Sequence, residues 1–219
     1  MVQFTEKLTF GDKEIPVKGA YDVIVVGGGV AGVAAAMAAG KRGFKTVVIE
    51  ATSALGGLAT MGLVNIPLDF VSGLGIEMFD ELEAVNAHWH RNTDPEKHKL
   101  ILDRMVQKYH CDILLVTQVI DAIMDGDTIK GIVIQTKTGP EALLGRRVID
   151  CSGDSDAAFY AGAELMQGRE SDGMAQACSL EFIMAGVDWD KYLNSETKKN
   201  DPKWLEVIKV ALKNGDLPY

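Results

Sequence analysis

The stretch from Asp22 to Glu50, DVIVVGGGVAGVAAAMAAGKRGFKTVVIE, constrains the fold of this chain more than any other feature. An apolar β-branched run ends in glycines, an alanine-rich segment closes with basic residues and Gly43, and the apolar run KTVVIE follows. The two apolar runs are typical of strands that are buried on both faces. Parallel strands need a crossover helix, so the stretch predicts a strand–helix–strand unit of an α/β fold.

Three glycines, Gly27, Gly29 and Gly32, have the spacing G-x-G-x-x-G between the predicted strand and helix. In this context the first permits a tight turn, the second lets the backbone approach a pyrophosphate, and the third lets helix and strand pack closely. The helix N-terminus adds unpaired N–H groups and a partial positive charge. The turn therefore predicts nucleotide binding.

Glu50 ends the second predicted strand, where an acidic side chain can accept hydrogen bonds from an adenosine ribose. An acid at this position disfavours a 2′-phosphate and so disfavours NADP. FAD and NAD both remain open on these residues alone.

Composition excludes several classes of function for the 219-residue chain, which is long enough for one or two domains. A net charge of -9 argues against a general nucleic-acid or anionic-membrane binder. The N-terminal MVQFTEKLTFGDKEIPVKG is charged where a signal peptide needs an apolar run, and no uncharged apolar run reaches about 18 residues. We therefore expect a cytoplasmic protein without a membrane-spanning helix.

Further periodic segments predict the rest of the architecture. Residues 1–20 are expected to form an irregular or hairpin-like lead-in. Helices are expected from Leu74 to Val85 and from Asp94-Pro95 to about Tyr109. The segments DILLVTQVIDAIM and TIKGIVIQT predict a hairpin, and RRVIDCSG a third strand, which together make a three-stranded meander.

The sequence pattern changes after Asp154. DAAFYAGAE predicts a short helix, CSLEFIMAGVD a strand and SETKKNDPKW a loop. A last helix with one apolar stripe is expected to start at Asp201-Pro202 and to end at Gly215.

Beyond Glu50 the chain does not continue with the βαβ repeats of a simple NAD-dependent dehydrogenase. It enters GGLAT, Gly56 to Thr60, and later the meander ending in VIDCSGD. This order resembles the FAD-dependent oxidoreductases with a glutathione-reductase-like flavin domain. The resemblance runs from about Ile15 to Asp188 and includes DPEKHKLILDRMV and VIDCSGDSDAAFYAGAELMQGRESDGMAQACSLEFIMAGVD.

The resemblance implies a Rossmann-like FAD-binding domain over residues 21–165, with a parallel sheet and a three-stranded β-meander, and the start of a substrate-type domain over residues 166–219. It implies non-covalent FAD and a function in hydride transfer with a small organic substrate. Organic acids and polyols both fit, and the sequence does not choose between them. A histidyl-flavin linkage is not indicated, because GGLAT contains no histidine.

The resemblance also implies four groups of cofactor-binding residues. The ADP half of FAD would be held by Gly27, Gly29, Val30, Ala31, Gly32, Glu50 and Ala51. The pyrophosphate and the approach to the flavin ring would be lined by Gly56, Gly57, Ala59 and Thr60. The backbone of Val119 would touch adenine. The second flavin motif would be Ser152, Gly153 and Asp154.

One departure from the family pattern concerns the C-terminal segment, because nothing from Asp188 to Tyr219 resembles the strand, turn and helix that close such flavin domains. We therefore expect the N-terminal portion of a larger enzyme. An alternative is a non-catalytic FAD-binding subunit or fragment completed by a partner chain or a second copy. An NAD-binding dehydrogenase or nucleotide-sensing module is disfavoured by GGLAT and the meander.

Catalytic residues are not identified by any motif. Three polar residues of the segment QGRESDGMAQACS, Arg169, Gln176 and Ser179, are candidates for the substrate side of the flavin. The histidines, expected at the surface or as caps, are His88, His90, His98 and His110. The cysteines, expected as buried free thiols, are Cys111, Cys151 and Cys178. Their spacing gives no metal-ligand cluster, so no metal site is predicted.

Overall fold

The computed structural model describes residues 7–10, 13–66, 73–89, 92–201 and 203–216. The chain divides into two compact units, Met1–Glu181 and Phe182–Tyr219. Among the described residues, no helix combines the length and the apolar character needed to cross a bilayer.

The N-terminal residues form an antiparallel hairpin of strands β1 (Lys7–Phe10) and β2 (Lys13–Val26). Strand β2 runs through residue 20 without a break and carries on into the apolar run before the glycines. The expected hairpin-like lead-in is therefore continuous with the central strand of the larger unit.

The predicted strand–helix–strand unit is confirmed. Helix α1 (Val30–Gly40) follows β2, and strand β3 (Thr46–Ile49) then pairs with β2 in parallel. Strand β6 (Asp112–Leu114) adds to β3 in parallel, and β9 (Gly139–Asp150) lies in parallel on the other side of β2. The parallel part of the sheet thus has the order β6-β3-β2-β9.

The predicted meander is also confirmed, with a correction to its start. Strands β7 (Gln118–Asp125), β8 (Thr128–Thr136) and β9 pair antiparallel in sequence. The segment DILLVTQVIDAIM, expected as one strand, is divided between β6 and β7, because Val116 adopts a left-handed conformation with φ 52°. This bend leaves β6 in the parallel sheet and directs β7 into the meander.

The two faces of the parallel sheet bury different layers, because successive side chains of a strand point to opposite faces. Helices α1, α2 (Leu74–Ala84) and α3 (Pro95–Lys108) contribute to one core, in which Val25 and Val48 lie with Met37 and Leu102. The other core joins sheet and meander and contains Ile24, Val47, Ile49, Ile132, Ile134 and Leu143. The flavin-domain fold expected from the sequence is therefore present as three layers.

Helices α2 and α3 confirm the predicted helical segments. The Asp94 carboxylate accepts the N–H groups of Glu96 and Lys97 at 3.0 and 3.1 Å, so it caps α3 as expected. Two short strands, β4 (His88–Trp89) and β5 (Asn92–Thr93), form a separate antiparallel pair before α3. A short 3-10 helix covers Gly57–Ala59.

The segment after β9 differs from the expectation. Helix α4 (Asp156–Tyr160) is present, but the strand expected in CSLEFIMAGVD is absent, and residues 161–188 contain no regular secondary structure. The alternating apolar side chains Leu180, Phe182 and Met184 are exposed. A strand needs a neighbour for its backbone hydrogen bonds, and the described residues supply none for this segment.

Three helices form the unit Phe182–Tyr219: α5 (Trp189–Leu193), α6 (Glu196–Asn200) and α7 (Leu205–Asn214). The expected loop SETKKNDPKW was wrong in part, because Ser195 accepts the Lys198 N–H and caps α6. Helix α7 begins later than predicted, with its first N–H groups bonded to the Asp201 carboxylate. It ends at Gly215 as predicted.

Candidate cofactor site

The carboxyl ends of three neighbouring strands carry the predicted site residues. The Gly27–Gly32 turn follows β2, Glu50 follows β3, and Ser152 to Asp154 follow β9. Ligands of open α/β sheets bind at this edge, outside the carboxyl ends of the strands. The fold therefore brings these three predicted groups together.

Close packing requires glycine at two positions of the first turn. Gly27 has φ 88°, and a Cβ there would lie 2.6 Å from the Cys151 carbonyl oxygen. A Cβ on Gly32 would overlap the Gly27 carbonyl oxygen. The first and third glycines of the motif thus serve turn geometry and helix packing, as the spacing predicts.

Gly29 differs from the other two glycines of the motif, because a Cβ there would have no protein atom within 4 Å. Gly29 is the N-cap of α1 and has no side chain that could accept a hydrogen bond, so the first N–H groups of the helix lack a side-chain cap. Open space at a helix N-terminus fits a diphosphate. The residues present therefore fit the pyrophosphate of a dinucleotide.

The GGLAT segment lies directly against this turn. The Gly56 N–H donates to the Gly28 carbonyl at 2.8 Å, and a Cβ on Gly57 would lie 3.1 Å from the Gly29 Cα. Thr60 is fully buried and donates its hydroxyl to the Leu55 carbonyl at 2.6 Å. Its hydroxyl shapes the loop, and a direct contact of Ala59 or Thr60 with the cofactor stays a prediction.

Glu50 is 7% exposed and uses both carboxylate oxygens within the protein. Oε2 accepts the Gly28 N–H at 2.8 Å, and Oε1 accepts the Thr52 N–H at 2.7 Å. The acid at the end of β3 thereby supports the glycine turn at the end of β2.

Gly28 is a position of close packing in the glycine turn that the sequence analysis missed. A Cβ there would lie 2.5 Å from the Leu55 side chain and 3.1 Å from Glu50. The signal was present in the sequence, because VGGG contains one more consecutive glycine than the motif requires.

An open cavity of about 700 Å³ lies beside the end of β3. Its walls include Ala51, the residues from Leu114 to Gln118 and the β8–β9 hairpin from Gln135 to Thr138. Val119 follows on β7 and its side chain packs against the core between sheet and meander. The cavity is therefore lined by Ala51, which the resemblance assigned to the ADP half, and by Gln118, the residue before Val119.

The predicted turn from Ser152 to Asp154 lies against the Gly27–Gly32 turn. The Cys151 N–H donates to the Val26 carbonyl at 2.7 Å, which continues the pairing of β9 with β2. Gly153 and Asp154 are exposed at the tip. The Cys151 side chain packs beside the helix-covered core, in accord with its expected packing role.

The catalytic candidates are not gathered into a site. Arg169, Gln176 and Ser179 are exposed in the segment without regular structure, and Arg169 forms an ion pair with Asp172 at 2.5 Å. No cluster of three or more potential metal ligands occurs within the described ranges.

The histidine expectation was wrong for His98, which is fully buried. Its Nε2 lies 3.3 Å from the Met78 sulfur and its Nδ1 3.5 Å from the Thr93 hydroxyl. Burial lowers the pKa of His98. The apolar spacing of α3 places this residue inward with Ile101, Leu102 and Met105. His90 lies outside the described residues.

The cysteine expectation was correct for Cys111 only. Cys111 is buried, Cys151 is half-buried and Cys178 is exposed. Burial raises the pKa of both the Cys111 and the Cys151 thiols. Cys178 is exposed because the strand expected around it does not form.

Fold and site together define an α/β dinucleotide-binding protein of the flavin-domain type. The family model of the FAD-dependent oxidoreductases matches residues 22–216. The chain therefore belongs to the FAD-dependent oxidoreductase family, and FAD is its cofactor.

Solved structures support the same fold. The protein THI4 of Thermovibrio ammonificans is 21% identical with a TM-score of 0.51, over 64% of this chain and 61% of that one. The myxobacterial chondrochloren halogenase CndH, a variant of FAD-dependent halogenases, is 17% identical with a TM-score of 0.52, over 62% of this chain and 38% of that one. The matched region thus spans less than two thirds of either protein.

Proposed function

We propose that the protein binds FAD non-covalently at the carboxyl ends of β2, β3 and β9 and transfers a hydride between FAD and a small organic substrate. Bound FAD supplies the two-electron chemistry. The side chains and backbone of this chain hold the cofactor, orient it and limit the access of water.

The space at Gly29 is the observation that carries the proposal. Gly29 is half-buried, α1 begins directly after it, and a Cβ at Gly29 would have no protein atom within 4 Å. A diphosphate in this space would receive N–H groups and the favourable end of the helix dipole.

Glu50 supports the ribose contact that the resemblance implies. Each oxygen of its carboxylate accepts one backbone N–H, and a carboxylate oxygen has two acceptor directions. The remaining capacity suits the hydroxyl groups of a ribose. Adenine would then enter the cavity beside Ala51 and meet the backbone near Val119.

We assign contacts with the middle of the cofactor to two segments, GGLAT and Ser152–Asp154. Gly57 approaches Gly29 closely enough to border the diphosphate. The exposed carboxylate of Asp154 can accept hydrogen bonds from cofactor hydroxyls. Gly153 has no protein atom within 4 Å of a Cβ position, so its backbone is equally accessible.

A visible absorption spectrum of the purified protein tests the proposal. We expect flavin bands and the release of intact FAD on denaturation. Anaerobic bleaching of the bands by a panel of organic acids and polyols would then identify the substrate class. A colourless protein that cannot be reconstituted with FAD would contradict the proposal for this chain.

A second candidate is a FAD-binding subunit that acts only when a partner chain or a second copy completes it. This alternative is favoured by the unit Phe182–Tyr219, whose helices contain no buried residue. Its exposed apolar residues include Trp189, Leu193, Leu205, Val207, Ile208 and Val210. Such a surface is typical of a protein–protein contact. Light scattering with and without FAD separates a monomer from an assembly.

The domain division and the location remain proposals. We assign residues 21–165 to the FAD domain and residues 166–219 to the start of a substrate domain, and limited proteolysis with and without FAD tests this division. We also assign the protein to the cytoplasm, and cell fractionation tests that assignment.

A further inference from the structure

Strand β9 ends in an aspartate that no motif assigned to the site. The Asp150 Oδ1 atom accepts both the Ser152 N–H at 3.0 Å and the Ser152 hydroxyl at 2.7 Å. Its Oδ2 atom accepts the Ala158 N–H at 2.8 Å. One carboxylate therefore joins the end of β9, the turn that follows and helix α4.

The Ser152 hydroxyl extends this network to the start of α4. It accepts the Asp156 N–H at 2.7 Å while it donates to Asp150. The N-cap residue Ser155 makes no side-chain cap of its own and adopts φ 58°. Two of the first N–H groups of α4, those of Asp156 and Ala158, have no partners inside the helix and are thus satisfied by Ser152 and Asp150.

This network lies beside the glycine turn. A Cβ on Gly27 would stand 2.6 Å from the Cys151 carbonyl oxygen and 2.7 Å from the Ser152 nitrogen. Any shift of the Ser152 backbone therefore changes the packing of the two turns. The exposed residues Gly153 and Asp154 belong to the loop that Asp150 holds in place.

We infer that Asp150 is a positioning residue for FAD: its carboxylate fixes the turn after β9 so that Gly153 and Asp154 face the cofactor beside Gly29. The inference rests on the proposed placement of FAD at this edge of the sheet. Asparagine cannot replace Asp150, because both oxygens accept hydrogen bonds and an amide has one donor end. That donor end would face either Ser152 or the Ala158 N–H.

The variant Asp150→Asn tests the inference through FAD titration of the apoprotein. We expect FAD binding to weaken by about tenfold or more, since the hydrogen bonds at one of the two Asp150 oxygens are lost, either those from Ser152 or that from Ala158. We also expect an altered circular dichroism of the bound flavin and faster hydrogen exchange at the Ala158 amide. A residue that only stabilised the fold would leave the affinity and the flavin signal unchanged.

Asp112→Asn is the matched control. Asp112 also lies on a strand of the parallel sheet and accepts a hydroxyl, from Tyr21 at 3.0 Å, but it is at the start of β6. We expect it to bind FAD like the wild type. Equal affinity and an equal flavin signal in the Asp150→Asn protein would overturn the inference.

The variant Ser152→Ala decides the question if the Asp150→Asn protein does not fold. It removes only the hydroxyl that bridges Asp150 and the Asp156 N–H, and we expect about three- to tenfold weaker binding. Unchanged affinity and an unchanged flavin signal in this variant would then overturn the inference. Failure of the wild type itself to bind FAD would instead contradict the proposed function.

Discussion

The Glu50 carboxylate accepts the Gly28 N–H at 2.8 Å, which ties the acid after β3 to the glycine turn after β2. The same carboxylate accepts the Thr52 N–H at 2.7 Å. The sequence motif predicts that this acid can accept hydrogen bonds from an adenosine ribose. Its contacts show that it also organises the loop that precedes the first helix.

The variant Glu50→Gln should therefore have two measurable effects. The NH₂ end of the glutamine amide would face either the Gly28 N–H or the Thr52 N–H, so one of these hydrogen bonds would be lost. The free energy of unfolding of the apoprotein should therefore fall by about 1–3 kcal/mol. FAD binding should weaken by about 1.5–3 kcal/mol through loss of a charge-assisted hydrogen bond. Urea unfolding and FAD titration measure the two effects separately.

Glu141→Gln is a suitable control for Glu50, because Glu141 forms a surface ion pair with Lys18 at 2.6 Å. A surface pair of this kind contributes at most about 1 kcal/mol. Wild-type FAD affinity in the Glu50→Gln protein would remove Glu50 from the site, even if stability fell.

Gly29→Ala should abolish the retention of FAD without unfolding the protein. The added methyl group enters the open space at the start of α1, where it obstructs the diphosphate but meets no protein atom within 4 Å. We expect an affinity loss of at least about tenfold, or about 1.4 kcal/mol, with unchanged urea unfolding of the apoprotein. FAD content equal to that of the wild type would refute this role of Gly29.

Gly32→Ala should show the opposite pattern. A Cβ there overlaps the Gly27 carbonyl oxygen, so α1 and the turn must move apart even when FAD is absent. We expect a loss of apoprotein stability of about 1–3 kcal/mol, typical of overpacking. Thermal unfolding of the two alanine variants side by side distinguishes a ligand space from a packing contact.

His98 should make stability depend on pH. Burial lowers the pKa of His98 below its usual value of 6.5, so the unfolded chain binds a proton more readily than the folded protein. Its contribution to the free energy of unfolding is complete above about pH 6.5 and is lost as the pH falls through the folded pKa, by up to about 1.4 kcal/mol per pH unit. Urea unfolding at a series of pH values measures the loss.

The variant His98→Leu should reduce this dependence, because leucine cannot be protonated. His110→Asn is the control, since His110 is exposed and asparagine tolerates its left-handed φ of 57°. The same slope in the wild type and in the His98→Leu protein would show that other groups cause the pH dependence.

The three thiols should differ in their rates of alkylation. Cys178 is exposed and should react first, whereas Cys111 is buried and donates to the Ala36 carbonyl at 3.3 Å. Burial also raises the pKa of Cys111, so little thiolate forms near neutral pH. Mass spectrometry after short exposure to iodoacetamide should find Cys178 modified and Cys111 intact until the protein unfolds.

Cys178→Ser provides the corresponding control. The fast phase of alkylation should disappear in this variant, and the slower reactions of Cys151 and Cys111 should keep their rates. A fast phase that persists would mean that Cys151 is more accessible than its half-buried position indicates.

Local patterns were sufficient where neighbouring residues decide the structure. The glycine spacing predicted the first turn, and Asp94-Pro95 predicted the start of α3, because capping involves only a few consecutive residues. The apolar runs predicted β2 and β3, since burial on both faces leaves a continuous apolar sequence.

Predictions failed where residues that are distant in the sequence determine the structure. The left-handed Val116 divides one apolar run between β6 and β7, which lie at opposite ends of the same sheet, and no local signal distinguishes it from a strand residue. The apolar alternation around Leu180 has the period of a strand, but no described strand lies beside it for pairing. His98 is a polar residue that was expected at the surface, although it shares a face of α3 with Ile101 and Leu102, and its packing against Met78 shows that it belongs to the core.

The sequence by itself determined that this chain contains a dinucleotide-binding unit, and together with the family resemblance it indicated FAD. The tertiary structure decided how the strand ends cooperate: Glu50 with Gly28, and Asp150 with Ser152 and Ala158. The physical reason is that the periodicity of a strand depends on the order of neighbouring residues in the sequence. A buried carboxylate, in contrast, needs hydrogen-bond donors that only the folded chain brings within about 3 Å.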